Sequence, residues 1–315
     1  MEQSEQPTTG FRRDLQGLRA LAVVAVVLSH TLGVPAGGFV GVDVFFVLSG
    51  FLITEMILRD HARTGRVSLT RFYGRRVRRL LPAAVLVLGV TAAVSFLLLN
   101  RPRAESVLGD AVASALFVSN WRFSATGTDY FSAADSVSPL QHFWSLSVEE
   151  QFTLVWPALL VLVLAIAASR SASRARVAVG ALAVVVVVAS FTVAMLQTAA
   201  DADGAYFATG ARVWELGLGA LVAAAGPALV RLPVVARGAA GWLGVAAIVA
   251  SCLLLTGASA FPGPWALAPT LGAALVIIGG MGGASRTLFP LTNPLSVGIG
   301  NISYALYLWH FPVVV

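Results

Sequence analysis

The chain is 315 residues long, 57% hydrophobic and only 11% charged, with a formal net charge of +6. So much apolar surface excludes a soluble globular domain, and repeated runs near the ~20 residues needed to cross a bilayer predict an all-α, polytopic transmembrane helix bundle. A single cysteine, Cys252, excludes a disulfide framework within the chain and any cysteine-rich metal site.

Residues 1–10 are polar and predict a disordered cytoplasmic tail, with the membrane domain running over 11–315. The first apolar run, 17–33, is bracketed by Arg19 and His30. On a helix these two residues share a face and stand about 16 Å apart along the axis. A guanidinium at one membrane edge then looks toward an imidazole near mid-depth, and ionisable groups inside a span point by default to a functional site. The competing reading is a signal peptide, with Arg12 and Arg13 as its basic region and Val34 to Gly37 as a loose cleavage site. A histidine at the end of the apolar core, and the membrane-like sequence after it, argue for a retained span.

Further apolar runs follow at 40–58, 80–99, 147–168, 177–197, 208–225, 239–256, 267–283 and 295–315, giving nine spans. A shorter apolar stretch from Glu105 to Trp121, interrupted by Asp110, predicts an amphipathic or re-entrant helix and would bring the count to ten if it crossed. All 21 basic residues are arginines. With the amino terminus in the cytoplasm, all but Arg101, Arg103, Arg122 and the intraspan Arg212 fall on inner segments, a strong positive-inside bias. The basic excess therefore reports topology and argues against a nucleic-acid partner.

The second run carries Asp43 among aromatic residues. Such a carboxylate needs an arginine or hydroxyl partner in the bundle, and it serves either to position helices or to take part in chemistry. Nearby Ser49 and Gly50 allow close helix packing. In the basic stretch that follows, Arg75 with Arg78 and Arg76 with Arg79 form pairs three residues apart. A fork of guanidinium groups suits the phosphates of a nucleotide-type ligand, and it equally suits anionic lipid. Before the fourth long run lies His142-Phe-Trp-Ser145-Leu-Ser147-Val-Glu149-Glu150. A helix start capped by Ser145 or Ser147 explains one glutamate there but not the adjacent pair. Arg212 and Glu215, three apart, predict an ion pair within the sixth span. Tyr304, Tyr307, Trp309 and His310 close the last span, where His310 reads as a packed polar residue beside interfacial aromatics.

Taken in order, Arg19-x10-His30, GVDVFFVLSGF, RFYGRRVRRLLP, HFWSLSVEEQF and ISYALYLWHFP closely resemble the acyltransferase-3 family of integral membrane acyltransferases. ALFVSNW followed by LQHFWSLSVEEQF looks most like the branch whose membrane domain is fused to an extracytoplasmic SGNH hydrolase-like domain. Thr153 stands where the family usually has tyrosine, a departure confined to that position. The resemblance implies a multi-pass protein of the cell (inner) membrane. It would transfer an acyl group, usually acetyl, from cytoplasmic acyl-coenzyme A to a hydroxyl of an envelope carbohydrate. It implies His30 as the catalytic histidine, with Arg19 and the Arg75, Arg76, Arg78 and Arg79 cluster at the donor. Ser147, Glu149 and Glu150 fall on the acceptor side, with Asp43, His142, Ser145, Arg212 and Glu215 in support. No metal is implied. His30 could act as general base for direct transfer, the favoured route, or as a transient acyl carrier. A non-enzymatic carrier or exporter of an envelope intermediate is the rival class, although it has no need of a phosphate clamp. The chain stops at Val315 inside an apolar run, which predicts a fragment of a longer protein.

Overall fold

A computed structural model describes residues 11–128, 130–131, 137–166 and 171–315. The expected tail, residues 1–10, and Arg170 of the inner arginine set lie outside the described residues. Among the described residues the regular structure is entirely helical, and every predicted apolar segment forms a helix. In chain order these are α1 (Arg13–Leu32), α2 (Gly41–Thr64), α3 (Leu69–Leu98), α4 (Arg101–Ala115), α5 (Ser119–Ala125), α6 (Phe143–Ile166), α7 (Ala172–Ala200), α8 (Ala202–Phe207), α9 (Thr209–Leu229), α10 (Val234–Leu254), α11 (Leu267–Gly279), α12 (Phe289–Thr292) and α13 (Pro294–Val314). Six of them, α1, α2, α3, α6, α7 and α10, are long and apolar enough to cross a membrane, and the chain is a multi-pass membrane protein.

The helix ends follow local chemistry. Gly33 and Gly65 take left-handed conformations (φ 70° and 71°) that close α1 and α2, a geometry open to glycine at little cost. Ser68, Asn100 and Asn293 cap α3, α4 and α13 by accepting from Arg71, Arg103 and Ser296 amides. Neither Ser145 nor Ser147 caps α6, because that helix already starts at Phe143. The capping reading of that stretch is therefore set aside.

Burial orders the bundle. Of the most apolar window of α2, 72% is buried, against 28% for α3, so α2 is central and α3 lies at the edge. Small residues bring α2 and α9 together: a Cβ at Gly50 would run into the Leu216 carbonyl oxygen, and one at Gly219 into that of Val47. Gly50→Ala is expected to pry this pair apart and destabilise the protein by about 1–3 kcal/mol, the usual cost of overpacking. Thermal unfolding in detergent would register it. Ser49, expected in the same role, instead donates to Glu149 at 2.9 Å.

The interrupted stretch after α3 folds back on it as α4, with Val107 and Ala111 packed near Ala84, Val87 and Leu88. Asp110 is no defect there, since it binds Arg122 Nε at 2.6 Å and accepts from Ser138 at 2.6 Å. Just past α4, the Phe117 carbonyl accepts from Gln151 of α6 at 2.7 Å and ties this segment to α6. This infolding moves the start of α6 and decides where its carboxylates stand.

Candidate functional site

A cavity of about 450 Å³ lies between α1, α2, α3, α6 and α13. Arg19, Arg75, Arg76 and Arg79 line one part of it, and Ser145 and Tyr307 another. At about 100° per residue, Arg75, Arg79 and Arg76 span one arc of α3, and Arg78 flanks it on the Arg75 side, away from Arg76. Arg78 is exposed and does not line the cavity, which removes it from the expected donor set.

Arg76 is already engaged. Its Nη2 lies 2.7 Å from Glu149 Oε1 and 2.6 Å from Glu150 Oε1, and its Nε 3.0 Å from Glu150 Oε1. Two carboxylates thus occupy the fork expected to hold phosphate. The same contacts correct the expected acceptor-side position of Glu149 and Glu150, since both stand at the Arg76 end of α3. Phe143, at the start of α6, packs with Ala84, Val87 and Leu88 midway along α3, so the second turn of α6 already stands beside Arg76. The Tyr73 hydroxyl donates to the Leu154 carbonyl at 2.7 Å, and with Arg76 on Glu150 and Phe143 packed near Ala84 and Val87 the pairing runs oppositely along the two helices, so α3 and α6 are antiparallel. Among the described residues, Arg19, Arg75 and Arg79 form no ion pair, and these are the cavity's guanidinium groups without a carboxylate partner.

Ser147 is 1% exposed, with its hydroxyl 2.8 Å from that of Ser119. It faces α5 and fastens the infolded segment, away from both the cavity and His30; that correction follows from the same infolding. Ser145 lines the cavity and meets the Tyr307 hydroxyl at 2.6 Å.

His30 lies beyond the Ser145 and Tyr307 end. Its Nδ1 is 3.0 Å from His310 Nε2 and its Nε2 is 2.9 Å from the Tyr130 hydroxyl, while Phe311 packs edge-on with ring centroids 4.9 Å apart. Burial pushes the Tyr130 phenol up to about 12, so at neutral pH it keeps its proton. His142 joins the cluster with its ring 5.4 Å from that of His310. Its Nε2 reaches the Leu308 carbonyl at 3.1 Å. That carbonyl is accessible for a reason legible in the sequence: Pro312, four residues on, has no N–H to fill it. A layer of Tyr307, His142 and His310 separates the cavity's end from His30, with Tyr307 and His310 ring centroids 5.4 Å apart. Nothing in the sequence marks Tyr130, and His310, read there as a packed polar residue, is in direct contact with His30.

Asp43 finds the arginine partner expected of it. Arg212 Nη2 lies 3.0 Å from Asp43 Oδ1 and Arg212 Nε 3.2 Å from Glu215 Oε1, with all three side chains 0% exposed. This triad contacts neither the cavity's arginines nor His30. It backs the site instead, through Tyr206, whose ring lies 5.5 Å from the Arg212 guanidinium and stacks on Tyr130 at 4.5 Å.

The family model described as an acyltransferase domain matches residues 12–315. The chain belongs to the acyltransferase-3 family. This acyltransferase-3 chain is 31% identical over 320 residues to the peptidoglycan O-acetyltransferase OatA of Listeria monocytogenes, covering 98% of the chain and 50% of that protein. It is 34% identical over 310 residues to a putative O-acetyltransferase of Staphylococcus aureus strain COL, covering 95% and 50%. A 149-residue match to the putative peptidoglycan O-acetyltransferase YrhL of Bacillus subtilis reaches 44% identity, over 47% of the chain and 23% of that protein. The acyltransferase-3 chain spans about half the length of the first two of these relatives. No solved structure matches it.

Proposed function

We propose that this chain is the membrane part of an O-acyltransferase that moves an acyl group, acetyl by analogy with its relatives, from acyl-coenzyme A to a hydroxyl of peptidoglycan or another envelope carbohydrate. The observation that carries the reading is one cavity joining guanidinium groups without carboxylate partners at Arg19, Arg75 and Arg79 to the layer that covers the half-buried imidazole of His30. In this reading the amino terminus is cytoplasmic, the nine predicted segments cross the cell (inner) membrane, and donor phosphates sit at Arg19, Arg75 and Arg79. The thioester extends toward Ser145 and Tyr307, and a shift of the Tyr307 side chain opens the way to His30. Arg76, Glu149 and Glu150 form the cavity wall that holds this mouth in shape. A hydrolase-like extracytoplasmic domain, fused or separate, belongs to the same proposal on the strength of the ALFVSNW and LQHFWSLSVEEQF resemblance.

The chemistry needs one base. His30 takes the acceptor hydroxyl's proton as its oxygen attacks the thioester carbon; the carbon–sulfur bond breaks, and the thiolate recovers that proton to leave as coenzyme A thiol. The Tyr130 hydroxyl, 2.9 Å from His30 Nε2, marks a position an acceptor hydroxyl can take.

Purified protein given radiolabelled acetyl-coenzyme A and a soluble muramyl glycan should release coenzyme A and form an alkali-labile ester. No turnover with any acyl donor would leave the carrier reading in its place. Arg79→Glu is expected to raise the donor KM by roughly 10- to 100-fold, the loss of one charge-assisted contact worth about 1.5–3 kcal/mol. The acceptor KM should stay unchanged; an unaltered donor KM would reject the phosphate role.

A further inference from the structure

Three hydrogen bonds run in line from the backbone of α13 to the imidazole of α1. The Tyr307 carbonyl oxygen lies 2.7 Å from His310 Nδ1, His310 Nε2 lies 3.0 Å from His30 Nδ1, and His30 Nε2 lies 2.9 Å from the Tyr130 hydroxyl. A carbonyl oxygen only accepts, so the proton of the first bond sits on His310 Nδ1. A neutral imidazole carries one proton, which leaves His310 Nε2 as an acceptor. The proton between the two rings therefore belongs to His30 Nδ1. His30 Nε2 is left bare, with its lone pair directed at a hydroxyl.

We infer that His310 is a positioning residue for acyl transfer: anchored to the Tyr307 carbonyl, it holds His30 in the Nδ1–H tautomer and presents Nε2 to the acceptor hydroxyl. The inference rests on the proposed role of His30 as base. It assigns His310 the orienting task that a carboxylate performs in a serine-hydrolase triad, without a negative charge. When His30 Nε2 takes up the hydroxyl proton, the Nδ1–H bond to His310 persists and becomes charge-assisted. The fixed partner also explains why the residue stands on α13 next to Tyr307. The His310 ring turns back to the carbonyl three residues earlier on its own helix, so the anchor and the orienting ring come from one rigid element.

The test combines kinetics with a direct reading of the tautomer. In protein labelled with ¹⁵N-histidine, assigned through His30→Gln, the His30 signals should show a protonated Nδ1 and a bare Nε2. His310→Ala is expected to lose this preference and to lower kcat about 10²-fold, at the lower end of what general-base help supplies, with the donor KM unchanged. His310→Gln keeps an oxygen able to accept from His30 Nδ1 and should recover part of the rate. A protonated His30 Nε2 in the unmodified protein overturns the inference, whether or not the alanine variant folds. So does a His310→Ala protein with normal kcat and an unchanged His30 tautomer. If His30→Ala is inactive while His310→Ala is normal, the base reading stands and the positioning role falls; if His30→Ala is fully active, both fall.

Discussion

Replacing His30 with alanine is expected to lower the rate of acyl transfer by about 10² to 10⁴, the span that a positioned general base supplies. The donor KM should change little, because Arg19 lies about 16 Å away along the same helix and the coenzyme contacts are made at that end. The fall in kcat has a specific origin: without Nε2 the attacking hydroxyl must give its proton to water in a site that side chains close off. His30→Gln sharpens the experiment, since it keeps the ring's approximate reach and its contact with Phe311 yet has no basic nitrogen. Both variants should remain in the membrane as monodisperse protein by fluorescence-detected gel filtration. Normal activity in either would remove His30 from the chemistry. The same reaction, quenched without acceptor, distinguishes the two routes open to this imidazole. Direct transfer leaves His30 unmodified, whereas an acyl-histidine adduct recovered by mass spectrometry would establish a relay.

How far the sequence leads depends on whether the signal is local. Apolar runs, the glycine that brings α2 against α9, and the need of Asp43 for an arginine or hydroxyl partner are all written within one helix or its composition. The structure meets each of them. Helical periodicity puts all four arginines within reach of one broad arc of α3, and only the packing shows that Arg75, Arg76 and Arg79 line the cavity while Arg78, about 60° from Arg75, does not. What escaped depends on contacts between distant segments. The partners of His30 lie 280 and 100 residues away, at His310 and Tyr130, and no spacing rule reaches that far. Glu149 and Glu150 stand beside Arg76 rather than apart from it because α4 and α5, 15 and 7 residues long, fold back before α6 begins midway along α3. Only the packing of Val107 and Ala111 against α3 reveals it. One local clue was present and unread. Pro312 strips the Leu308 carbonyl of its helical donor, which is the carbonyl His142 takes.

Arg212→Met is expected to cost about 3–5 kcal/mol or to prevent accumulation of folded protein, because it leaves Asp43 and Glu215 buried with no cation between them. The argument rests on full enclosure: all three side chains are 0% exposed, and aromatic rings of Phe46, Trp144, Tyr206 and Phe261 surround the guanidinium at 5.2–5.5 Å. These ring faces attract the cation but offer a carboxylate nothing, so removing the arginine turns a favourable cage into an apolar wall facing anions. The size of the loss measures two stranded carboxylates rather than the net worth of the triad, and a second variant separates the two. Arg212→Met combined with Asp43→Asn and Glu215→Gln removes every charge together and should recover most of the stability, as charge-free replacements of buried ion pairs often do. Thermal unfolding in detergent reads both outcomes. Transfer activity of the combined variant then decides what the triad is for. None of its members touches His30, and its link to the site is Tyr206 stacked on Tyr130. A stable and active combined variant therefore assigns the triad to support of that wall, whereas a stable but inactive one would place its charges in the reaction itself.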